Sequence, residues 1–387
     1  MTDKPVLPHS SDSETSNPPS EVSTDGETPD AATVSPKATP ATGFKPSWLP
    51  MAVGSVPLLD PVQAWDLILR YMPQTPVWPQ LPRRSYLENM YAQFSENFPG
   101  IVVDLEGERT YVDRTQNLDR DLERLYVAYL QNDVSYGALN PQYAKGLHYL
   151  LDTVDLLPAP PLAIKGQVTG PISWGLTVVD QNRRPLLYDE VMADAIAKHL
   201  RLKAAWQEQQ LRNLAPHTIM FVDEPYMSSF GSGFISLSRD QVVTLLEEVF
   251  AGINGLKGVH CCGNTDWSVL LETSAEILNL DAYDYAESLS LYPDAVAAFL
   301  ERGGIIAWGI VPSSPAVEGE TADSLVERLH GAMDLLVRKG VALDKLLPAG
   351  LVTPSCGTGS LDPQTAERVL ELTAAVAAQM RARYVTA

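Results

Sequence analysis

Gly258-Val259-His260-Cys261-Cys262-Gly263-Asn264 holds two of the chain's three cysteines and one of its six histidines. The valines and glycines leading into it read as a short buried strand. Side chains alternate across a strand, so His260 and Cys262 point one way and Cys261 the other. An imidazole and a thiolate side by side at a strand end supply half of a zinc site. The third cysteine, Cys356, lies in Thr353-Pro354-Ser355-Cys356-Gly357-Thr358-Gly359, again after an apolar run. A parallel barrel would bring these two strand ends together.

The surrounding chain has the rhythm such a barrel needs. Apolar strands end at Thr169-Gly170-Pro171, Asp223-Glu224-Pro225, His260-Cys261-Cys262, Ala286-Glu287-Ser288, Pro312-Ser313-Ser314 and Pro354-Ser355-Cys356. Amphipathic helices separate them, among them 188–214, 238–252, with Ser238 and Gln241 spaced as a capping box, and 322–339. Strand alternating with helix means a parallel sheet covered by helices. Adding a strand at Met51-Ala52-Val53 and an irregular unit over 101–112 gives about eight, which predicts a (β/α)8 barrel with its function at the C-terminal strand ends. A doubly wound sheet is the alternative, but Gly231-Ser232-Gly233 lacks the spacing of a phosphate-binding loop.

Residues 1–43 are of different composition, rich in Ser, Thr, Pro, Asp and Glu, without aromatics. Such a segment cannot bury enough apolar surface to offset its ordering entropy, so it is expected to be a disordered tail ahead of a single catalytic domain over 44–387. The formal charge of −20 argues against nucleic acid and against an anionic membrane surface as partners. No apolar run is long enough to span a bilayer, and the N-terminus lacks a signal peptide's order. Three cysteines form no disulfide framework, and a metal role needs them reduced, so the cytoplasm is the expected compartment.

Polar residues at strand ends are the candidates for chemistry: Ser55, Thr169, Asp223, Glu224, His260, Cys262, Glu287, Ser313 and Cys356. Singly, a cysteine or histidine there is a packing residue. Jointly, at three strand ends that a barrel gathers at one mouth, His260, Cys262, Cys356 and an oxygen of Glu287 make a four-ligand zinc set. Cys261, on the other face, is expected to pack in the core. His148, His199, His217 and His330 fall in helices or a turn and read as structural or solvated.

In this order the residues resemble the catalytic domain of the cobalamin-independent methionine synthase family. That family belongs to a larger group with uroporphyrinogen decarboxylase and corrinoid-dependent thiol methyltransferases. The resemblance runs from about Trp48 to the C-terminus, and its ordered motifs carry it: Gly54-Ser55-Val56-Pro57, Thr169-Gly170-Pro171, Asp223-Glu224-Pro225, His260-x-Cys262, Asp281-Ala282-Tyr283-Asp284 leading to Glu287, and Cys356-Gly357. It implies that Gly54, Ser55 and Asp223 bind homocysteine. It further implies that His260, Cys262, Glu287 and Cys356 hold Zn²⁺, and that a methyl group passes to the homocysteine thiol to give methionine. Two departures accompany it. The folate-using enzymes carry a second barrel ahead of this one, and they place a histidine where this chain reads Gly309-Ile310-Val311-Pro312-Ser313. Expelling folate nitrogen calls for an acid, whereas expelling cob(I)alamin does not. The expected donor is therefore a methyl-corrinoid, presented by a separate protein. The competing readings are methyl transfer to another small thiol, a uroporphyrinogen decarboxylase-like enzyme, and a zinc- or corrinoid-binding protein without activity.

Overall fold

The inner face of the main sheet changes character along its strands, and that change places the site. The computed structural model describes residues 43–233 and 235–385; the tail expected over residues 1–43 lies outside these, Gly43 apart. Among the described residues nine strands form: β1 (Ile101–Asp104), β2 (Arg109–Val112), β3 (Ala163–Thr169), β4 (Val179–Asp180), β5 (His217–Asp223), β6 (Leu256–Cys261), β7 (Ile277–Leu280), β8 (Ile305–Val311) and β9 (Gly350–Pro354). The sheet β3-β5-β6-β7-β8-β9 is parallel throughout, and β1, β2 and β4 make a small separate sheet. Crossovers between parallel neighbours run through helices, including Glu190–Leu211, Arg239–Phe250 and Ala322–Arg338. The capping box at Ser238 and Gln241 is formed.

Two apolar clusters follow from the period-two alternation. Met220, Val222, Leu278, Ile306 and Trp308 pack outward with the helices, in the cluster that also holds Cys261. Ile219, Phe221, Ile277, Ile305, Ala307 and Leu351 pack together on the opposite face with Leu49 and Met51. Continuing that inner face toward the strands' C-terminal ends, the same parity gives Asp223, His260, Asn279 and Thr353, all buried. The strands are thus apolar inside at one end and polar inside at the other.

Six of the eight strands expected for the barrel form the parallel sheet; the unit expected over 101–112 is instead the antiparallel pair β1-β2 of the separate sheet. The Met51-Ala52-Val53 stretch is extended, but it pairs only through isolated bridges. Pro50 bridges Val352 in β9, Ser55 bridges Gln80, and Val77 bridges Lys165 in β3, all parallel. Hydrogen bonds from Met51 N to Val352 O (2.9 Å), Val56 N to Gln80 O (3.0 Å) and Lys165 N to Pro76 O (2.9 Å) accompany them. Residues 85–94 form a 3₁₀ turn, Tyr86–Glu88, and a short helix, Met90–Gln93, with Asn89 in an extended conformation between them. The strand expected to end at Ala286-Glu287-Ser288 stops at Leu280. Asp281 caps the helix Ala282–Leu289 by accepting from Asp284 N at 3.0 Å, as aspartates at helix starts do.

Candidate metal centre

His260, Cys262 and Cys356 each present a ligand atom within 4.8 Å of the others. Strand geometry brings them there. His260 sits on the inner face at the end of β6, in register with Asp223 on β5 and Asn279 on β7. Cys262 follows one residue past the end of β6, and Cys356 lies in the turn after β9. Ser313 holds that turn from both sides: its Oγ donates to Cys356 O at 2.7 Å, and Cys356 N lies 3.2 Å from the same Oγ. Cys261 points into the helix-facing core, where its thiol lies 3.6 Å from Gly263 O, and burial pushes its pKa up to about 12.

The donor set suits zinc. His260 Nδ1 lies 2.7 Å from Asn279 Oδ1, while Nε2 is buried without a hydrogen-bond partner. A buried imidazole nitrogen left unpaired is costly unless something binds it. Two sulfurs and one nitrogen at this spacing match the ligands and spread of a tetrahedral zinc, whose sulfurs stand about 3.8 Å apart when Zn–S is about 2.3 Å. The electrostatics favour a charged cluster. The Cys356 thiol hydrogen-bonded to it, and then His260, bring the Cys262 pKa well down against the cost of burial. Cys356 is driven the other way, by the Cys262 sulfur and then by burial. Burial alone would lower His260, but Cys262 beside it, with Asp223 and Asn279, raises it overall.

Two carboxylates face the cluster and one stands apart. Asp223 is buried at the end of β5, and its Oδ1 has no partner. Burial raises its pKa, opposed by Lys165 and His260. Asp281, at the end of β7, is also buried. Burial lifts its pKa to about 6, and the charge of Cys262 adds to the rise. Glu287 is exposed on the helix Ala282–Leu289; none of the three carboxylates joins the group of His260, Cys262 and Cys356. Glu224 is occupied elsewhere: it accepts from Ile172 N at 2.9 Å and from Ser173 N at 2.8 Å, at the start of helix Pro171–Thr177.

The Gly54-Ser55 stretch is brought against the Cys356 turn. Thr358 N donates to Ser55 O at 2.9 Å, and Gly359 N to Ser55 Oγ at 3.3 Å. Gly54 has φ +151°, and a Cβ there would meet Gln80 and Gln167 side-chain atoms at 2.9–3.0 Å, so only glycine fits. Lys165, which the sequence reading left without a role, links this stretch to Asp223. It is fully buried on β3, and its Nζ donates to Val53 O at 2.5 Å and to Gln167 Oε1 at 3.2 Å. It also lies 4.6 Å from the Phe221 ring centre. Burial lowers its pKa to about 8, and the Asp223 carboxylate opposes that shift. A lysine inside a strand buried along its whole length was the available signal.

The sequence matches no protein-family model and no curated protein. Solved structures do resemble the fold. A methyltransferase from Methanosarcina mazei aligns over 85% of this chain and 87% of its own at 12% identity, with a TM-score of 0.53. A B12-independent methionine synthase from a Shewanella species, in complex with selenomethionine, aligns over 61% of this chain and 67% of its own at 19% identity and TM-score 0.44. A putative vitamin-B12-independent methionine synthase from Listeria monocytogenes aligns over 60% and 69% at 16% identity and TM-score 0.42. At these identities the likeness is one of fold, and it rests on the Methanosarcina structure. Among the described residues no helix is long and apolar enough to cross a membrane.

Proposed function

We propose that the chain is a zinc-dependent methyltransferase that methylates a small thiol, homocysteine foremost, from a methyl-corrinoid donor. The observation that carries this reading is the convergence of His260, Cys262 and Cys356 within 4.8 Å at C-terminal strand ends, with a buried unpaired Nε2 among them. The segments bridged at Pro50, Ser55 and Val77 complete an eight-stranded barrel in this reading, and its mouth is the site. In this reading Asp281, which is buried and whose pKa the Cys262 charge raises, would supply the oxygen ligand in place of the exposed Glu287.

Zn²⁺ held by these residues would strip the proton from an incoming thiol and keep its sulfur nucleophilic at neutral pH. Cys262, Cys356 and Asp281 make the set electron-rich, which preserves that nucleophilicity. Asp223 offers its unpaired Oδ1 to the substrate ammonium, and Lys165 balances the Asp223 charge while bracing Val53 ahead of Ser55. Fixing the amino-acid end aligns the sulfur for in-line attack. The S–CH₃ bond forms as the Co–CH₃ bond breaks, and cob(I)alamin leaves with the electron pair, so no acid is needed.

A decarboxylase-like reading would want arginines free to hold porphyrin carboxylates. Arg83 is instead spent on Gly359 O and Ser360 O, and Arg84 on Glu88 and Gln142 O. The test is to incubate zinc-loaded protein with methylcobalamin and L-homocysteine and measure methionine by mass spectrometry. Methionine formed only with both substrates supports the proposal. Formation from methyltetrahydrofolate alone would overturn the donor, and preference for a thiol lacking an amino group would overturn the acceptor.

A further inference from the structure

We propose that Asn279, anchored by Ala307 and Thr353, is a positioning residue that fixes His260 in the one neutral tautomer able to ligate a metal through Nε2. The inference rests on the metal reading above, but its logic is hydrogen-bond counting. Asn279 Nδ2 lies 2.8 Å from Ala307 O and 2.7 Å from Thr353 Oγ1. A backbone carbonyl can only accept, so the amide nitrogen must face Ala307, and the orientation of the side chain is settled. Oδ1 is thereby turned to His260 Nδ1 at 2.7 Å. An amide oxygen also only accepts, so Nδ1 carries the hydrogen and donates. A neutral imidazole has one N–H, which leaves a lone pair on Nε2, the atom that is buried and unpartnered toward the cysteines.

The device is built into the sheet. His260, Asn279 and Ala307 are register neighbours on three adjacent parallel strands, and Thr353 belongs to the fourth. Asn279 and Thr353 are 2% and 1% exposed, so water cannot substitute for either contact. An aspartate at 279 could accept from His260 but would turn a carboxylate oxygen against Ala307 O. A leucine would leave both imidazole tautomers open, and the Nε2–H form blocks the ligand position. Outer partners of this kind typically change metal affinity by about 10–100-fold.

The decisive measurement uses unaltered protein: ¹⁵N spectra of the metal-free imidazole at a pH where His260 is neutral. Nδ1 is expected to resonate as the protonated nitrogen and Nε2 as the bare one; the reverse assignment overturns the proposal. Zinc affinity by chelator competition is the second readout. Asn279→Leu is expected to lose about 10–100-fold and Thr353→Val a smaller part of it, while Asn279→Leu binding as tightly as wild type overturns the proposal. Should wild-type protein bind no zinc while Nδ1 carries the proton, the metal reading falls and the positioning of His260 stands.

Discussion

His199 and His260 are both fully enclosed histidines with one ring nitrogen hydrogen-bonded and the other bare. His199 lies mid-helix; its Nε2 is 2.7 Å from Phe94 O, and its ring packs edge-on to Phe98. The bare Nδ1 sits in packed surroundings with Lys203 as the nearby charge, and burial followed by that lysine pushes its pKa down to about 3. His260 turns its bare nitrogen toward two sulfurs. Burial is common to both, and an unpaired nitrogen is common to both; only the second has ligand partners converging on it. An enclosed histidine is therefore a ligand candidate only when its neighbours are.

The two ends of the parallel strands repeat the contrast. At their N-terminal ends a cleft of ≈ 940 Å³ is lined by Arg201, Glu208, Arg212, His217, Thr218 and Asn254. The buried carboxylate there is saturated: Glu208 accepts from Thr218 Oγ1 at 3.0 Å, from Asn254 N at 2.7 Å and from Gly255 N. At the C-terminal ends Asp223 Oδ1 and His260 Nε2 are unsatisfied. Saturated polar groups stabilise a fold, and unsatisfied ones point to a ligand only where several converge.

The sharpest way to break this contrast is Cys356→Ala, which is expected to abolish stoichiometric zinc while leaving the circular dichroism of the fold unchanged. Zinc retained at one equivalent would remove Cys356 from the ligand set. Next in size, Glu208→Leu strands a hydroxyl and two backbone N–H donors. It should cost about 3 kcal/mol in urea unfolding without touching zinc affinity. Asp281→Asn should then weaken zinc by roughly 10–100-fold by chelator competition, and Glu287→Gln should leave it unaltered; the opposite ranking would restore Glu287.

The smallest effect is a pH dependence from His199. Its folded pKa is depressed, so the unfolded chain takes up the proton first as pH falls below about 6.5. Stability contributed by the neutral ring is then lost progressively toward pH 3. Between pH 7 and 5 this amounts to about 2 kcal/mol, and His199→Gln should flatten that slope in chemical denaturation curves. An unchanged slope would show that His199 titrates in the folded protein as it does in the unfolded chain.

Much of this was legible in the sequence because apolar strands announce their own ends: Thr169, Asp223 and His260 close β3, β5 and the inner face of β6 with a change of polarity. The β7 end was not. Ile277-Leu278-Asn279-Leu280-Asp281-Ala282-Tyr283 alternates like a strand, which hides the helix cap at Asp281. The bridged stretches around Pro50 and Val77 are short and interrupted by prolines. Their pairing with Val352 and Lys165 depends on partners far along the chain, which local pattern does not carry. Asn279 was hidden for the same reason, since its meaning lies in three neighbouring strands rather than in its own.

The central claim is a zinc site open to a thiol. X-ray absorption at the zinc edge on the purified protein, before and after addition of homocysteine, tests it most directly. The expected result is one zinc per chain, with a shell of two sulfurs and nitrogen or oxygen ligands that gains a third sulfur when homocysteine is added. No zinc, or a shell indifferent to homocysteine, would contradict the account.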